Sequence, residues 1–176
     1  ILHGLCERKS PDQLQLHLVD GKGTELVDFD DKPHVAGDIG NWPDDAIETL
    51  ERAVAEMTDR YQNKFRPQKT KNLVEYNKAV DPDQRLPWWL VVLDEYADLT
   101  SDSDERRQIE NSLKRIAQKG RAAGIHLIVS TQKPTAEVLS TVIRSNLPSQ
   151  LALRVRDASD SRIILDEAGA ESLAGK

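Results

Sequence analysis

Trp88-Trp89-Leu90-Val91-Val92-Leu93-Asp94-Glu95-Tyr96-Ala97-Asp98-Leu99 decides how the chain folds. An apolar run follows Pro87 and ends in two adjacent acids. Such a run, bounded by a turn residue, is expected to form a strand buried on both faces of a parallel sheet. Sites in such sheets lie just beyond the carboxyl ends of the strands. Asp94 and Glu95 stand at that end.

A carboxylate there can hold Mg²⁺ on a nucleotide phosphate, usually through water. The next carboxylate can polarise an attacking water. Apolar strand, Asp, Glu is the Walker B pattern. The plain alternative is a buried strand that ends at the surface in two acids, and the motif alone does not separate the two.

Working outward, the pattern alternates between strand and helix. Leu14-Gln15-Leu16-His17-Leu18-Val19-Asp20 predicts a strand that also ends in Asp, with Gly21-Lys22-Gly23 as a tight loop after it. Residues 1–9 predict the tail of a helix, and 24–41 predict irregular structure. Pro43-Asp44-Asp45 starts a helix, with acids facing the positive end of its dipole. Ile47, Leu50, Val54, Met57 and Tyr61 form its apolar face. Lys64, Arg66, Lys69 and Lys71 mark a basic, mobile loop, and a short helix is expected over Leu73–Val80.

Past the central strand, Ile109, Leu113, Ile116 and Ala117 line a helix that stops at Gly124. Ile125–Ser130 predicts a second buried strand, with His126 as a hydrogen-bonded core residue. Thr135 is expected to cap a helix with Val138, Leu139, Val142 and Ile143 inward. Gln150–Val155 predicts an edge-like strand, 159–165 a short helix, and Ala168–Lys176 a Gly-rich end. The fold class is therefore α/β, a mostly parallel sheet with helices on both faces. Residues 1–176 are expected to form one domain.

With 176 residues the chain can bury a real core. Charged residues make up 31% and aromatics 5%, which excludes disorder as the default state. The net charge of −6 argues against coating DNA by bulk charge, yet leaves room for a local basic surface. The lone Cys6 forms no internal disulfide and has no nucleophile–base partners around it, so a cytoplasmic setting is expected. His3, His17, His34 and His126 lack metal-ligand spacing, and no apolar run approaches a membrane span.

Four stretches together, Asp94–Leu99, Ala117–His126, Thr131-Gln132-Lys133-Pro134 and Asp160–Asp166, resemble the FtsK/SpoIIIE motor. That family comprises double-stranded DNA translocases of the HerA/FtsK division of RecA-like P-loop ATPases. The resemblance runs through the whole chain and is densest over 88–176. It implies ATP and Mg²⁺ as cofactors, double-stranded DNA as partner and a hexameric homo-oligomer. Two departures stand out. No Gly-x-x-x-x-Gly-Lys-Ser/Thr occurs; the resemblance places that Walker A loop before Ile1, so a fragment truncated at the P-loop end is expected, inactive and monomeric by itself. And Asp20-Gly21-Lys22-Gly23 stands where chromosome motors tend to have Asp-Pro-Lys, a feature closer to the type VII secretion ATPases.

The resemblance assigns roles residue by residue. Asp94 would hold Mg²⁺ and Glu95 would orient or deprotonate the water. Thr131 and Gln132 would sense the γ-phosphate; the simpler reading is a turn that caps a helix. Arg121 would act as an arginine finger in trans, where its simpler role is a cation at a helix C-terminus. Lys133, Arg144 and Arg156 would contact DNA phosphates, with Arg156 displaced by two residues from the usual basic site. Ordinary surface charge is the competing reading for each of these three. Two further functions compete with a DNA motor: a protein-secretion ATPase of the same fold, and an inactive scaffold piece of a defence or conjugation complex.

Overall fold

Three apolar runs become the strands β1 (Leu14–Asp20), β2 (Trp88–Asp94) and β3 (Ile125–Val129). In the computed structural model, which describes residues 1–174, they form a parallel sheet in the order β1-β2-β3. The register pairs Leu16 with Leu90, Leu18 with Val92 and, at the carboxyl end, Asp20 with Asp94. Both acids therefore leave the sheet side by side.

Period-two alternation gives the sheet two apolar faces. On one face Leu14, Leu16, Leu18, Leu90 and Val92 are buried with Leu26 and Phe29. Leu2, Leu5 and Cys6 of α1 (Leu2–Arg8) pack against them, with Val35 and Ile39. The other face is covered by α2 (Pro43–Asp59) and α5 (Ser103–Ala123), which also pack on each other. Leu50, Val54 and Met57 of α2 and Ile109, Leu113 and Ile116 of α5 are buried, each contributing about 2 kcal/mol of transfer free energy. Helices on both faces agree with the sequence reading.

Local chemistry sets the helix ends. Pro43 opens α2, and Asp45 reaches back to accept the N–H groups of Asn41 (2.8 Å) and Trp42 (2.9 Å). Asn72 caps α3 (Leu73–Ala79), and Asp102 caps α5. Gly124 ends α5 in the left-handed conformation at φ 77°. A Cβ there would lie 2.2 Å from Leu73 Cδ2, so Gly is required on both counts. The short helix α4 (Tyr96–Leu99) follows β2 directly.

The chain packs as two compact units, Ile1–Ser130 and Thr131–Lys176. The second holds α6 (Thr141–Asn146) and α7 (Ala158–Leu165).

Several sequence expectations need correction. Gln150–Val155 is not a strand. Leu151 and Leu153 are 80% and 78% exposed, and no strand among the described residues of the second unit offers the ladder that extended backbone needs. The helix expected to start at Thr135 is split. Thr135 Oγ1 accepts the N–H of Val138 (3.3 Å) in a single turn, and Ser140 then caps α6 by accepting from Ile143 (3.4 Å). A second capping side chain in mid-segment restarts the helix. Val138 and Ile143 are buried as expected, whereas Val142 is 38% exposed.

His126 is exposed and stacks on Trp88 with ring centroids 5.4 Å apart. It is not a core residue, because β3 is an edge strand and His126 lies on the face opposite α5. The region after α2 is helical further than expected: a π-helical segment, Arg60–Phe65, carries Arg60 and Phe65 inward. Residues 24–41 contain a 3-10 turn at Val27–Phe29 and then strap the edge of β1. There Leu16 donates to His34 (2.7 Å) and Asp20 to Gly40 (2.8 Å) through backbone N–H groups. The Gly-rich end forms a 3-10 turn at Ala170–Ser172, and its last two positions, 175 and 176, fall outside the described residues.

Candidate functional site at the end of the central strand

The site is built where β1 and β2 end together. Asp94 is half-buried, and its carboxylate accepts a hydrogen bond from the Ser130 hydroxyl. Ser130 ends the adjacent strand path, with its N–H on Leu93 O (3.0 Å) and its carbonyl accepting from Tyr96 (2.8 Å).

Glu95 turns the chain sharply. It takes the left-handed conformation, φ 47° and ψ 60°, and is 2% exposed. A non-glycine residue there stores about 1–2 kcal/mol. The turn drives the Glu95 side chain into the protein, where Oε2 lies 3.2 Å from Lys22 Nζ. Lys22 is about one-third exposed, so the pair bridges interior and surface.

The loop that carries Lys22 is tightly fastened. Asp20, fully buried, accepts the N–H groups of Lys22 (3.0 Å), Glu25 (2.7 Å) and Leu26 (3.0 Å) on its side chain, and that of Gly23 (2.9 Å) on its carbonyl. Burial alone would raise the Asp20 carboxyl, but the N–H groups of Leu26, Glu25, Lys22 and Gly23 outweigh it and hold it below its ordinary value. Gly21 donates to Asp94 O (3.1 Å), and a Cβ on it would press on Glu95 O at 3.1 Å. The two strand ends therefore meet backbone to backbone.

The remaining candidates are placed as follows. Arg121 is exposed in the last turn of α5. Partial desolvation of the ring first, then the charge of Arg121, hold the His126 imidazole below its ordinary value, although the residue as a whole is exposed. Thr131 and Gln132 open the second unit directly after Ser130 in the chain; Thr131 Oγ1 accepts the Lys133 N–H (3.1 Å). Lys133 is exposed, and Arg144, in the last turn of α6, donates through Nε to Leu139 O (3.1 Å). Arg156 makes a two-point ion pair with Asp160, Nε to Oδ2 at 3.0 Å and Nη2 to Oδ1 at 3.3 Å. Its charge is thereby partly spent within the second unit.

Sequence reasoning passed over Lys22 as a partner of Glu95. The signal was present: a Lys two residues past a strand-end Asp, on a strand adjacent to Asp-Glu. It becomes legible only with the register. Arg60 and His17 were also missed. Arg60 is fully buried, bonded to Glu56 (2.7 Å) and Ala123 O (2.8 Å) beneath Trp89.

A single carboxylate with a hydroxyl suits a magnesium ion that keeps its waters and leans on substrate phosphates. The described residues contain no cluster of three or more acids, histidines or cysteines able to cage a metal. No helix among them is long and apolar enough to cross a membrane.

Comparison with known proteins bears on the family and the fold. The model of the FtsK/SpoIIIE family matches residues 1–136. The DNA translocase FtsK of Sporosarcina ureae is 39% identical over 186 residues, covering 100% of this chain and 23% of that protein. FtsK of Campylobacter jejuni subsp. jejuni serotype O:2 is 39% identical over 178 residues, 100% of this chain and 18% of that one. The chain thus spans about a fifth of the length of these relatives. Among solved structures, the pCW3 conjugation coupling protein TcpA, a monomer form with ATPγS, superposes with TM-score 0.81 at 27% identity. That match covers 97% of this chain and 48% of TcpA. The cytoplasmic domain of the Thermomonospora curvata type VII secretion ATPase EccC gives TM-score 0.77 at 24% identity, over 98% of this chain and 20% of EccC, a likeness of fold. With a P-loop ATPase architecture and a family match over most of its length, the chain belongs to the FtsK/SpoIIIE family.

Proposed function

We propose that the chain is part of the ATPase core of a motor that moves along double-stranded DNA. The observation that carries this reading is Glu95: a buried acid, on strained backbone, beside Asp94 at the end of the central parallel strand. Strain of this kind persists where the surroundings over-determine it, and it clusters at working sites. The family membership and the named DNA translocases among its relatives support the DNA-motor reading.

In this reading Asp94 and the Ser130 hydroxyl would hold a magnesium ion, which would supply positive charge to the ATP phosphates. Glu95 accepts the proton of the attacking water. Thr131 and Gln132 contact the γ-phosphate and report hydrolysis to the next loop. Arg121, exposed at the end of α5, completes a neighbouring subunit's site as an arginine finger, which makes the working form an oligomer, a hexamer in our reading. Lys133, Arg144 and, least of the three, Arg156 touch the DNA backbone. Such contacts carry no base sequence, as a motor that walks over any sequence requires.

The test is Glu95→Gln in the full-length protein. ATP binding is expected to persist while turnover falls at least about a hundredfold; near-normal ATPase activity would remove Glu95 from the role. The Gly21-Lys22-Gly23 loop and the fold shared with EccC favour a second reading, a secretion ATPase whose activity ignores DNA.

A further inference from the structure

We propose that Lys22 is the positioning residue for Glu95, a role that rests on the ATPase reading above. A carboxylate that is 2% exposed is costly unless a cation or several donors meet it. Lys22 Nζ, 3.2 Å from Oε2, supplies a compact point charge. The ammonium stabilises the anion that a general base must be, and it fixes the direction in which the carboxylate points.

Three features aim Lys22. Asp20 clamps the loop through four backbone N–H groups, from Lys22 to Leu26. Gly21 allows the loop backbone to lie against the carbonyls of Asp94 and Glu95, where a side chain would press at 3.1–3.4 Å. Gly23, at φ 66°, turns the chain back at once. The loop itself is fastened by Asp20 and the two glycines, and the Lys22 side chain is one-third exposed. What the Lys adds is contact with Glu95.

The experiment uses the full-length protein with saturating linear duplex DNA and magnesium, comparing wild type, Lys22→Met, Lys22→Arg, Glu95→Gln and the double variant Lys22→Met/Glu95→Gln. Lys22→Met is expected to lower kcat by about ten- to a hundredfold while KM for ATP stays within about twofold. Lys22→Arg, which keeps the charge, recovers most of that loss. In the Glu95→Gln background, Lys22→Met changes the residual rate by less than about twofold, because residues that act as a unit are not additive. Wild-type or raised kcat in Lys22→Met would overturn the inference. So would a change confined to KM, or an equal loss in both backgrounds. If Lys22→Met fails to fold, Lys22→Arg alone decides: kcat within about threefold of wild type supports the inference, and a hundredfold loss overturns it. A wild-type protein without ATPase activity, or Glu95→Gln at full rate, removes the underlying reading instead, and that is read without any Lys22 variant.

Discussion

Glu95 and Arg60 are both charges taken out of water, at 2% and 0% exposure, and they are held in opposite ways. Arg60 sits on helical backbone at the start of the π segment. Its guanidinium is bonded to Glu56 and to the Ala123 carbonyl, with Trp89 5.5 Å away. Burial pulls it below its ordinary value, and Glu56 pulls back. That is a cation used to tie α2 to the end of α5. Glu95 has left-handed backbone and a partner on a flexible side chain at the surface. Burial of charge therefore does not mark a site by itself. In the proposed reading the distinguishing feature is burial combined with strain, at the carboxyl end of a parallel strand.

Four stability measurements sharpen the contrast, beginning with the joint that Arg60 fastens. Gly124→Ala adds a Cβ 2.2 Å from Leu73 at a left-handed position, beside the carbonyl that receives Arg60. Strain and overpacking together predict a loss of about 4 kcal/mol in denaturant unfolding. A loss below about 1 kcal/mol would mean that α5 ends less rigidly than described. Next, Arg60→Met leaves Ala123 O without its donor and removes the contact with Trp89. It should cost about 3 kcal/mol with kcat per folded molecule unchanged; a kcat defect at constant stability would make Arg60 functional after all.

The third concerns His17, whose ring lies tilted against the same Trp89, centroids 4.0 Å apart, and accepts from Arg52 at Nδ1 (3.4 Å). Burial first, then the charges of Arg52 and Arg60, lower its imidazole to about 4. In the unfolded chain it titrates near 6.5, so between those values the unfolded state binds the extra proton. The stabilisation is whole above pH 6.5 and is lost as pH falls towards 4, by about 2 kcal/mol at pH 5. Unfolding curves of wild type and His17→Gln at pH 7 and pH 5 should show the wild type losing more; equal losses would refute the buried neutral His17. The smallest effect belongs to Lys69, which shares the left-handed backbone of Glu95, at φ 54°, but is exposed. Lys69→Gly should stabilise by up to about 1 kcal/mol, and a loss would show that its strain is held by contacts as at Glu95.

The sheet was legible because its signals are local. The runs at 14–20, 88–94 and 125–129 and the caps at Pro43 and Gly124 are each set by neighbours in sequence. Gln150–Val155 misled because alternation states only what a strand would look like, whereas a strand also needs a neighbour. His126 misled because an apolar run does not say whether its strand will lie at an edge of the sheet. Of the site, Asp94 and Glu95 could be read from one stretch. Lys22 could not be assigned to Glu95, since seventy-odd residues separate them and only the Asp20–Asp94 register brings them together. Helical periodicity places Tyr61 on the apolar face and gives no signal for Arg60, which the π turn carries inward too.

The central claim is that these acids serve a motor driven along DNA, and ATPase activity of the full-length protein with and without linear double-stranded DNA, over a salt series, tests it most directly. Strong stimulation that fades as salt rises is the predicted result, because phosphate contacts release counterions. Robust activity indifferent to DNA at every salt concentration would contradict it.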